Sequence, residues 1–439
     1  MKKSTKKSLL LSILALVLCT AMLLGTTFAW FTDSASTAVN KIQAGTLDIQ
    51  LLDASGNSLE GQVLNWQKAA GHEREEVLWE PGCTYKLQPI TIKNNGNLAL
   101  KYKIEITGIQ GDAELNEAID WTIENDGQTY AINQEVSLAA DAEDTLTISG
   151  TMKTTAGNEY QNKSIDGIAI TVLATQDTVE YDSNNNQYDA QAVYPVAANT
   201  QAELNDAIAS AQNGSDIPTK VALPKGEFKL ENATAQNKNI TISGTKDTVV
   251  TVVGDSGNQM NYQNGATLAF EGVTIKGQTD GDFGGIAHVT ETTFVNCTFE
   301  GKLTLYGDAK FINCTFKNDS DYAIWTWGAK NAEFIGCTFN SGGKAILLYG
   351  GAGSTEAPTT NLTVTDCRFI DNGHLDTSKA AIETGNDYNA VYNLTVNNIT
   401  VTGFAVNPEG TSTGSNIWAN KNSMDAAHLN VVINGVDVY

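Results

Sequence analysis

The stretches Phe294-Val-Asn-Cys-Thr-Phe299, Phe311-Ile-Asn-Cys-Thr-Phe316 and Phe334-Ile-Gly-Cys-Thr-Phe339 are one signature written three times. The same frame extends outward to Gly272-Val273, Asp366-Cys367, Asn398-Ile399 and Gly435-Val436, with Asn239-Ile240-Thr-Ile242 as an eighth instance. An apolar residue stands three places before the second member of each pair (Phe270, Val364, Val396, Ile433) and another two places after it (Ile275, Phe369, Val401, Val438). Successive instances lie 17 to 37 residues apart, and the excess falls in Gly-, Asn- and Thr-rich stretches. One unit repeated at this period marks a solenoid, in which each coil buries its apolar face against the next. The turn position admits only Gly, Asn or Asp, the residues that tolerate a left-handed backbone. The flanking columns therefore point inward and stack at the strand spacing.

A second strand precedes the signature in several coils: Lys302-Leu-Thr-Leu-Tyr-Gly307, Ala323-Ile-Trp-Thr-Trp-Gly328, Ala345-Ile-Leu-Leu-Tyr-Gly350 and Ala381-Ile-Glu-Thr-Gly385. Upstream, Thr200-Gln-Ala-Glu203 is a capping box that opens an amphipathic helix with Leu204, Ile208 and Ala211 on one face and Gly214 as its stop. Together these features resemble the right-handed parallel β-helix of the pectin-lyase-like superfamily over residues 200–439. That resemblance implies a first coil closed by the helix. No cap is evident where the chain stops at Tyr439.

Six cysteines in an exported chain would suggest disulfides. Cys297, Cys314, Cys337 and Cys367, however, share one inward column, where neighbours stack at roughly 4.8 Å. A disulfide needs its Cβ atoms about 3.8 Å apart. The expectation is a structural ladder of buried thiols that behave as small hydrophobes.

The first thirty residues point to export. Lys2, Lys3, Lys6 and Lys7 precede an apolar run from Leu9 to Phe28, and the small residues Thr27 and Ala29 favour cleavage between Ala29 and Trp30. An uncleaved anchor is the alternative. After cleavage no stable membrane insertion is expected. The strings Gly25-Thr-Thr-Phe-Ala-Trp-Phe-Thr-Asp33, Asn40-Lys-Ile-Gln-Ala-Gly-Thr-Leu-Asp-Ile-Gln50, Glu80-Pro-Gly-Cys-Thr-Tyr85 and Ile92-Lys-Asn-Asn-Gly-Asn-Leu-Ala-Leu-Lys-Tyr102 resemble the TasA/camelysin family over roughly residues 1–182. The resemblance implies a secreted biofilm-matrix or cell-surface protein of Gram-positive bacteria, processed by a signal peptidase of the SipW type. It also implies self-assembly by lending an N-terminal strand, within Trp30 to Leu51, to a neighbouring copy. The alternative is that this strand pairs within its own sheet.

Alternation of apolar and polar residues over Thr46–Leu52, Tyr85–Lys93, Leu100–Ile106, Glu143–Thr151 and Ile168–Ala174 predicts short strands, with a turn at Asn94-Asn-Gly96. The expected fold class is all-β: an antiparallel, jelly-roll-like sandwich followed by the β-helix. The organisation read from the sequence is a signal peptide at 1–29, a sandwich at 30–182, a linker at 183–199 and the solenoid at 200–439.

Alternation along the upstream strands sends Tyr306, Trp327 and Tyr349 outward at equivalent positions, with Trp325 beside them. Flat aromatic faces with polar handles suit sugar rings, so these four are candidate glycan-binding residues for a cell-surface or host polysaccharide. Two other readings stand beside it: the Gly350–Thr360 loop covers the stripe, or another protein does. A polysaccharide lyase or glycosidase is the competing class. Glu383 and Asp387 are the carboxylate candidates, with Asp319 and Asp321 in a nearby loop. A uronate lyase needs basic groups, and Arg368 stands alone on an outer face expected to carry no basic cluster.

Cofactor signals are weak. His72-Glu-Arg-Glu-Glu76 begins like a zinc-protease helix, but Glu76 stands where the second histidine belongs. His72, His288, His374 and His428 form no ligand-spaced pair, so no metal is expected. Asp280-Gly-Asp282 offers two ligands to a structural calcium, far short of six.

The chain of 439 residues carries 50 acids against 27 bases, a formal charge of −23 that becomes −27 once the four leader lysines are removed. That charge excludes nucleic acid, whose binders need clustered Lys and Arg. The sequence reading is therefore a secreted surface or matrix protein that assembles through its sandwich and recognises a ligand through its solenoid.

Overall fold

The turn column sets the architecture. Gly272, Asn296, Asn313, Gly336, Asp366 and Asn398 all have positive φ, between 48° and 71°. Each bends the chain between two strands of a coil without breaking the coil-to-coil ladder. The Asn296, Asn313 and Gly336 amides, for instance, donate to Ile312, Ile335 and Thr365 carbonyls of the next coil at 2.8–3.0 Å. The computed structural model describes residues 47–439 except 61, 74–76, 178–191, 216, 232–237, 254–259, 262–266, 277–285, 288–290, 306, 320, 351–358, 376–378, 386–389, 407–412 and 422.

Three sheets form the walls of the solenoid, parallel throughout except for the last strand of the first. The first face has eleven strands, starting at Val196–Ala197, passing through Thr267–Glu271, Glu291–Val295, Asp308–Ile312 and Asn331–Ile335, and ending at Leu429–Ile433 and Val436–Asp437. The second has eight, from Gly226–Glu231 to Thr400–Thr402. The third has five: Leu303–Thr304, Tyr322–Trp325, Lys344–Leu348, Ile382–Thr384 and Trp418–Asn420.

Two phenyl ladders fill the interior. Phe270, Phe294, Phe311 and Phe334 stack with centroids 4.5–5.2 Å apart and planes within 7°. Phe299, Phe316, Phe339 and Phe369 stack at 4.4–4.8 Å. The ladders meet edge to face, as for Phe294 and Phe299 at 5.0 Å and 75°, an arrangement the ring quadrupoles favour. Cys297, Cys314, Cys337 and Cys367 are buried free thiols in the adjoining column. Each sulfur lies 3.2–3.6 Å from two carbonyls, one two residues back and one on the preceding coil. Burial, followed by the neighbouring sulfurs, raises the pKa of Cys314, which keeps the thiol protonated and donating.

Two of the expected repeats are corrected. Asn239 is not a turn residue: the strand Ile240–Ser243 puts Ile242 opposite Phe270, so that coil turns after Ser243, over residues 244–247. The string Asn-Ile-Thr-Ile fits the signature in two registers, and stacking against Thr267–Glu271 selects the other one. Gly435-Val436 does not start another coil either. Asn434 and Gly435 both have positive φ (48° and 77°), and Val436–Asp437 returns antiparallel to Leu429–Ile433. Two consecutive left-handed residues make a tight hairpin, and this hairpin closes the end for which no cap was evident.

The opposite end is closed by the helix Gln201–Ser210. Thr200 Oγ1 accepts from the Glu203 amide at 3.2 Å, while Glu203 Oε2 accepts from Asn199 N at 2.7 Å, one residue earlier than a regular capping box would place it. Leu204, Ile208 and Ala211 are buried as expected. The helix stops four residues before Gly214. Its last carbonyls are met instead by the buried Lys238, whose Nζ donates to Ile208 and Ala209 at 2.9 and 2.7 Å, a cation at a helix C-terminus.

The N-terminal module packs a seven-stranded sheet against a three-stranded one, both antiparallel. Its core takes Ile90, Ile92, Ile123, Leu146 and Ile148 from the larger sheet and Leu100, Tyr102, Ile104 and Leu138 from the smaller. The Asn94-Asn-Gly96 turn joins strands of different sheets, Ile90–Asn94 and Leu100–Gly111, and is not a hairpin. Buried Asn94 serves it by donating to the Leu98 and Ala139 carbonyls and accepting from Gly96 N. Tyr85–Lys93, expected as one strand, is two: Thr84–Leu87 and Ile90–Asn94, broken at Gln88-Pro89 because proline cannot donate to the ladder. Ile49–Leu52 pairs with Ile90–Asn94 of its own chain. Ala29, Trp30 and residues up to 46 lie outside the described residues.

Candidate functional site

The third face departs from the regularity of the other two. Its inward positions Leu303, Ile324, Ile346, Ile382 and Trp418 are uniformly buried and apolar. The adjoining outward column, fixed by the strand register, reads Thr304, Trp325, Leu347, Glu383 and Ala419. Continuing the register places Trp327, Tyr349, Gly385 and Lys421 in the next outward column.

The aromatic residues gather into a cluster, where alternation had suggested an evenly spaced stripe. Trp325 sets its edge against Trp327 at 4.7 Å, and Trp327 stacks on Tyr349 at 6.1 Å and 26°. Tyr322 approaches Trp325 at 5.9 Å, with the Lys302 ammonium 5.3 Å from the Tyr322 ring. Trp325, Trp327 and Tyr349 are half-buried, and the buried indole nitrogen of Trp325 has no hydrogen-bond partner among the described residues. Tyr306 and the loop 351–358 lie outside the described residues.

Glu383, a carboxylate candidate from the sequence, has a side chain only 5% exposed that stands among three lysines. Its Oε1 is 3.4 Å from Lys344 Nζ and 3.5 Å from Lys421 Nζ, and its Oε2 is 3.5 Å from Lys379 Nζ. Lys344, itself 3% exposed, also meets Asp321 Oδ2 at 2.7 Å. The outer face therefore does carry a basic cluster, made of lysines, with three cations against two carboxylates in a chain whose overall charge is −23. Partial burial pushes the Asp321 pKa up, but the hydrogen bond and charge of Lys344, helped by Lys379 and Lys421, hold it below the usual value.

Two glycines make this convergence possible. A Cβ on Gly343 would lie 2.4 Å from the Asp321 carbonyl oxygen, and one on Gly342 would lie 2.9 Å from that of Asp319. Only bare backbone lets the strand Lys344–Leu348 lie this close to the preceding coil. Gly385, which has no side chain, stands between Tyr349 and Lys421 in their outward column, with aromatic rings on one side and ammonium groups on the other. Two rungs separate Tyr349 from Lys421, roughly 10 Å.

The other candidates do not join this site. Arg368 is exposed at the start of Arg368–Asp371 on the second face, in register with Thr338 and Thr400. Asp319 accepts from Asn372 Nδ2 at 2.9 Å and organises its loop. Asp387, Asp280, Asp282 and His288 lie outside the described residues. Lys344, Lys379 and Lys421 escaped the sequence reading. The signals present were Gly342-Gly343 before Lys344, the four-residue step from Lys379 to Glu383, and the position of Lys421 just after an upstream-type strand.

Comparison with known proteins supports the two-part composition. Residues 228–438 match a family model described as "Right handed beta helix region". Residues 4–56 match one described as "Camelysin metallo-endopeptidase". The chain thus joins a camelysin/TasA-like segment at its N-terminus to a right-handed β-helix region. Among the described residues, which include only 47–56 of that match, no group of three or more His, Cys, Asp or Glu is placed to hold a metal ion. No curated protein matches the chain. A solved structure titled "Crystal structure of Agl-KA catalytic domain" aligns over 91% of this chain and 100% of its own at 11% identity, with a TM-score of 0.18, a value that carries no argument.

Proposed function

We propose that this is a secreted cell-surface or matrix protein whose β-helix recognises a polysaccharide on its third face, in a trough running past Gly385. One observation carries the reading: Trp327, Tyr349, Gly385 and Lys421 share one outward column, with Trp325 beside the rings and with Lys344 and Lys379 gathered beside Lys421 around Glu383. Aromatic faces bind the apolar faces of sugars, and the cationic end favours acidic units. Assembly through the N-terminal module belongs to the same proposal. The 12-residue strand Ile165–Gln176 pairs only with Leu100–Gly111 among the described residues and offers its other edge to an added strand.

The reading is tested with the full mature chain on affinity gels of acidic and neutral polysaccharides. Trp327→Ala with Tyr349→Ala is expected to reduce retention on the acidic gels at least tenfold, about 1.4 kcal/mol, with unchanged circular dichroism. Unchanged retention removes the trough from consideration. A second reading, polysaccharide cleavage, is favoured by the buried carboxylate of Glu383 on the same face as the aromatic cluster, since glycoside cleavage uses carboxylates beside the scissile bond. Steady release of reducing ends or unsaturated products, abolished by Glu383→Gln, would establish it over simple binding.

A further inference from the structure

Of the three lysines around Glu383, Lys344 stands apart, because it also meets Asp321. The Lys344 ammonium is 3% exposed and 2.7 Å from Asp321 Oδ2. Glu383, at 5% exposure, lies 3.4 Å from the same nitrogen through Oε1, an atom that is buried and accepts no hydrogen bond. Asp321 and Lys344 belong to successive coils, since Tyr322 pairs with Lys344 in the parallel ladder. The close approach at Gly343 presses the two backbones together.

We propose that Lys344 and Asp321 join in an intramolecular amide bond, with Glu383 as the proton-transfer group. The chemistry balances without an outside reagent. Glu383 takes a proton from the Lys344 ammonium, the free amine attacks Asp321 Cγ, and a C–N bond forms. One Asp321 Oδ–C bond breaks, and that oxygen leaves as water carrying the proton from Glu383 and the second proton lost by nitrogen. The reactants are one ammonium and one carboxylate; the products are one amide and one water.

Geometry supplies the driving force. A nitrogen hydrogen-bonded to a carboxylate oxygen stands near the roughly 3–3.5 Å attack distance from the carbon, where effective molarities reach about 10⁵ M or more. The glycines keep the strands from separating. The Asp321 side chain is 59% exposed, so the departing water has a path to bulk solvent while nitrogen and proton acceptor stay buried. The bond would staple coil to coil in a solenoid whose four ladder thiols remain unpaired. Lys379 and Lys421 keep their charges, so the cationic end of the trough survives.

The test is intact-mass spectrometry of the full mature chain beside Asp321→Ala and Lys344→Arg, neither of which can form the bond. The wild-type chain is expected one water lighter than its sequence requires, and both variants at full mass. A tryptic digest should carry a linked peptide pair containing residues 321 and 344, with no cleavage after Lys344. Glu383→Gln should lower the linked fraction at least tenfold. A folded wild-type chain at full mass, with Lys344 cleaved normally by trypsin, overturns the proposal. Glycan retention by an unlinked chain would leave the trough reading standing, so the two fail separately.

Discussion

The phenyl and thiol ladders and the outward column of the third face are built by the same stacking, yet they read oppositely. Down the first ladder stand Phe270, Phe294, Phe311 and Phe334, one residue type per rung with planes within 7°. Down the third face stand Thr304, Trp325, Leu347, Glu383 and Ala419, a different residue at every rung. Repetition inside a solenoid answers a demand that is the same on every coil: to fill a cavity at native density. An outward column has no such demand, so its departures record something particular to one coil. In this chain the irregular column holds the buried carboxylate Glu383, around which three lysines from other positions gather.

The sharpest way to break that contrast is to exchange the kind of damage. Phe334 is fully buried and stacked on Phe311 at 4.5 Å. Phe334→Ala is expected to lower stability by about 3–5 kcal/mol, the usual range for emptying a buried aromatic site. Trp327→Ala, on the half-buried cluster, is expected to lower it by less than about 1 kcal/mol while removing ligand retention. Urea denaturation of both variants checks the pair, and equal losses would mean that the third face is structural after all.

A smaller effect separates the two uses of the left-handed turn. Gly336 and Asn313 each bend the chain once, whereas Asn434 and Gly435 take positive φ in succession and reverse it. Nothing lies within 4 Å of a Cβ built on Gly435, so only its φ of 77° resists substitution. Gly435→Val should therefore destabilise by about 1–2 kcal/mol, the penalty of a left-handed residue. The loss should be confined to the last coil, seen as faster amide exchange in Leu429–Ile433 and unchanged protection near Phe334. Uniformly faster exchange would show that the hairpin is not a local cap.

These contrasts explain what the residues alone could tell. The solenoid and its inward columns were legible because Gly, Asn or Asp at one frame position and Phe or Val at two others are constraints local to each coil. Register was less legible. Asn239-Ile240-Thr-Ile242 satisfied the signature by coincidence, and stacking on Thr267–Glu271 decides otherwise. Asn434-Gly435 matched both the turn column and a hairpin, and the coil reading hid the hairpin. The charged site was least legible. Lys344, Lys379, Glu383 and Lys421 sit at different offsets from their nearest strands and meet only when coils stack. A lone Arg368 could not anticipate a cluster made of lysines.

The smallest predicted effect compares Glu383 with Glu271, at the end of Thr267–Glu271 on the first face. Glu383 has three lysines within 3.5 Å. Glu271 faces Val295 across the ladder, and burial raises its pKa, opposed only by the charge of Lys220. A carboxyl whose folded pKa lies above its unfolded value holds a proton in the native chain that the unfolded chain releases. Its contribution to stability is thus intact below the unfolded pKa and is lost as pH rises through the folded one. Ionised Glu271 is a burden at neutral pH. Glu271→Gln, of the same shape without the charge, should raise the melting temperature slightly at pH 7 and leave it unchanged near pH 3. A gain of the same size at both pH values would mean that charge burial is not the cause. The contrast would then rest on shape, not on how well each carboxylate is matched by cations.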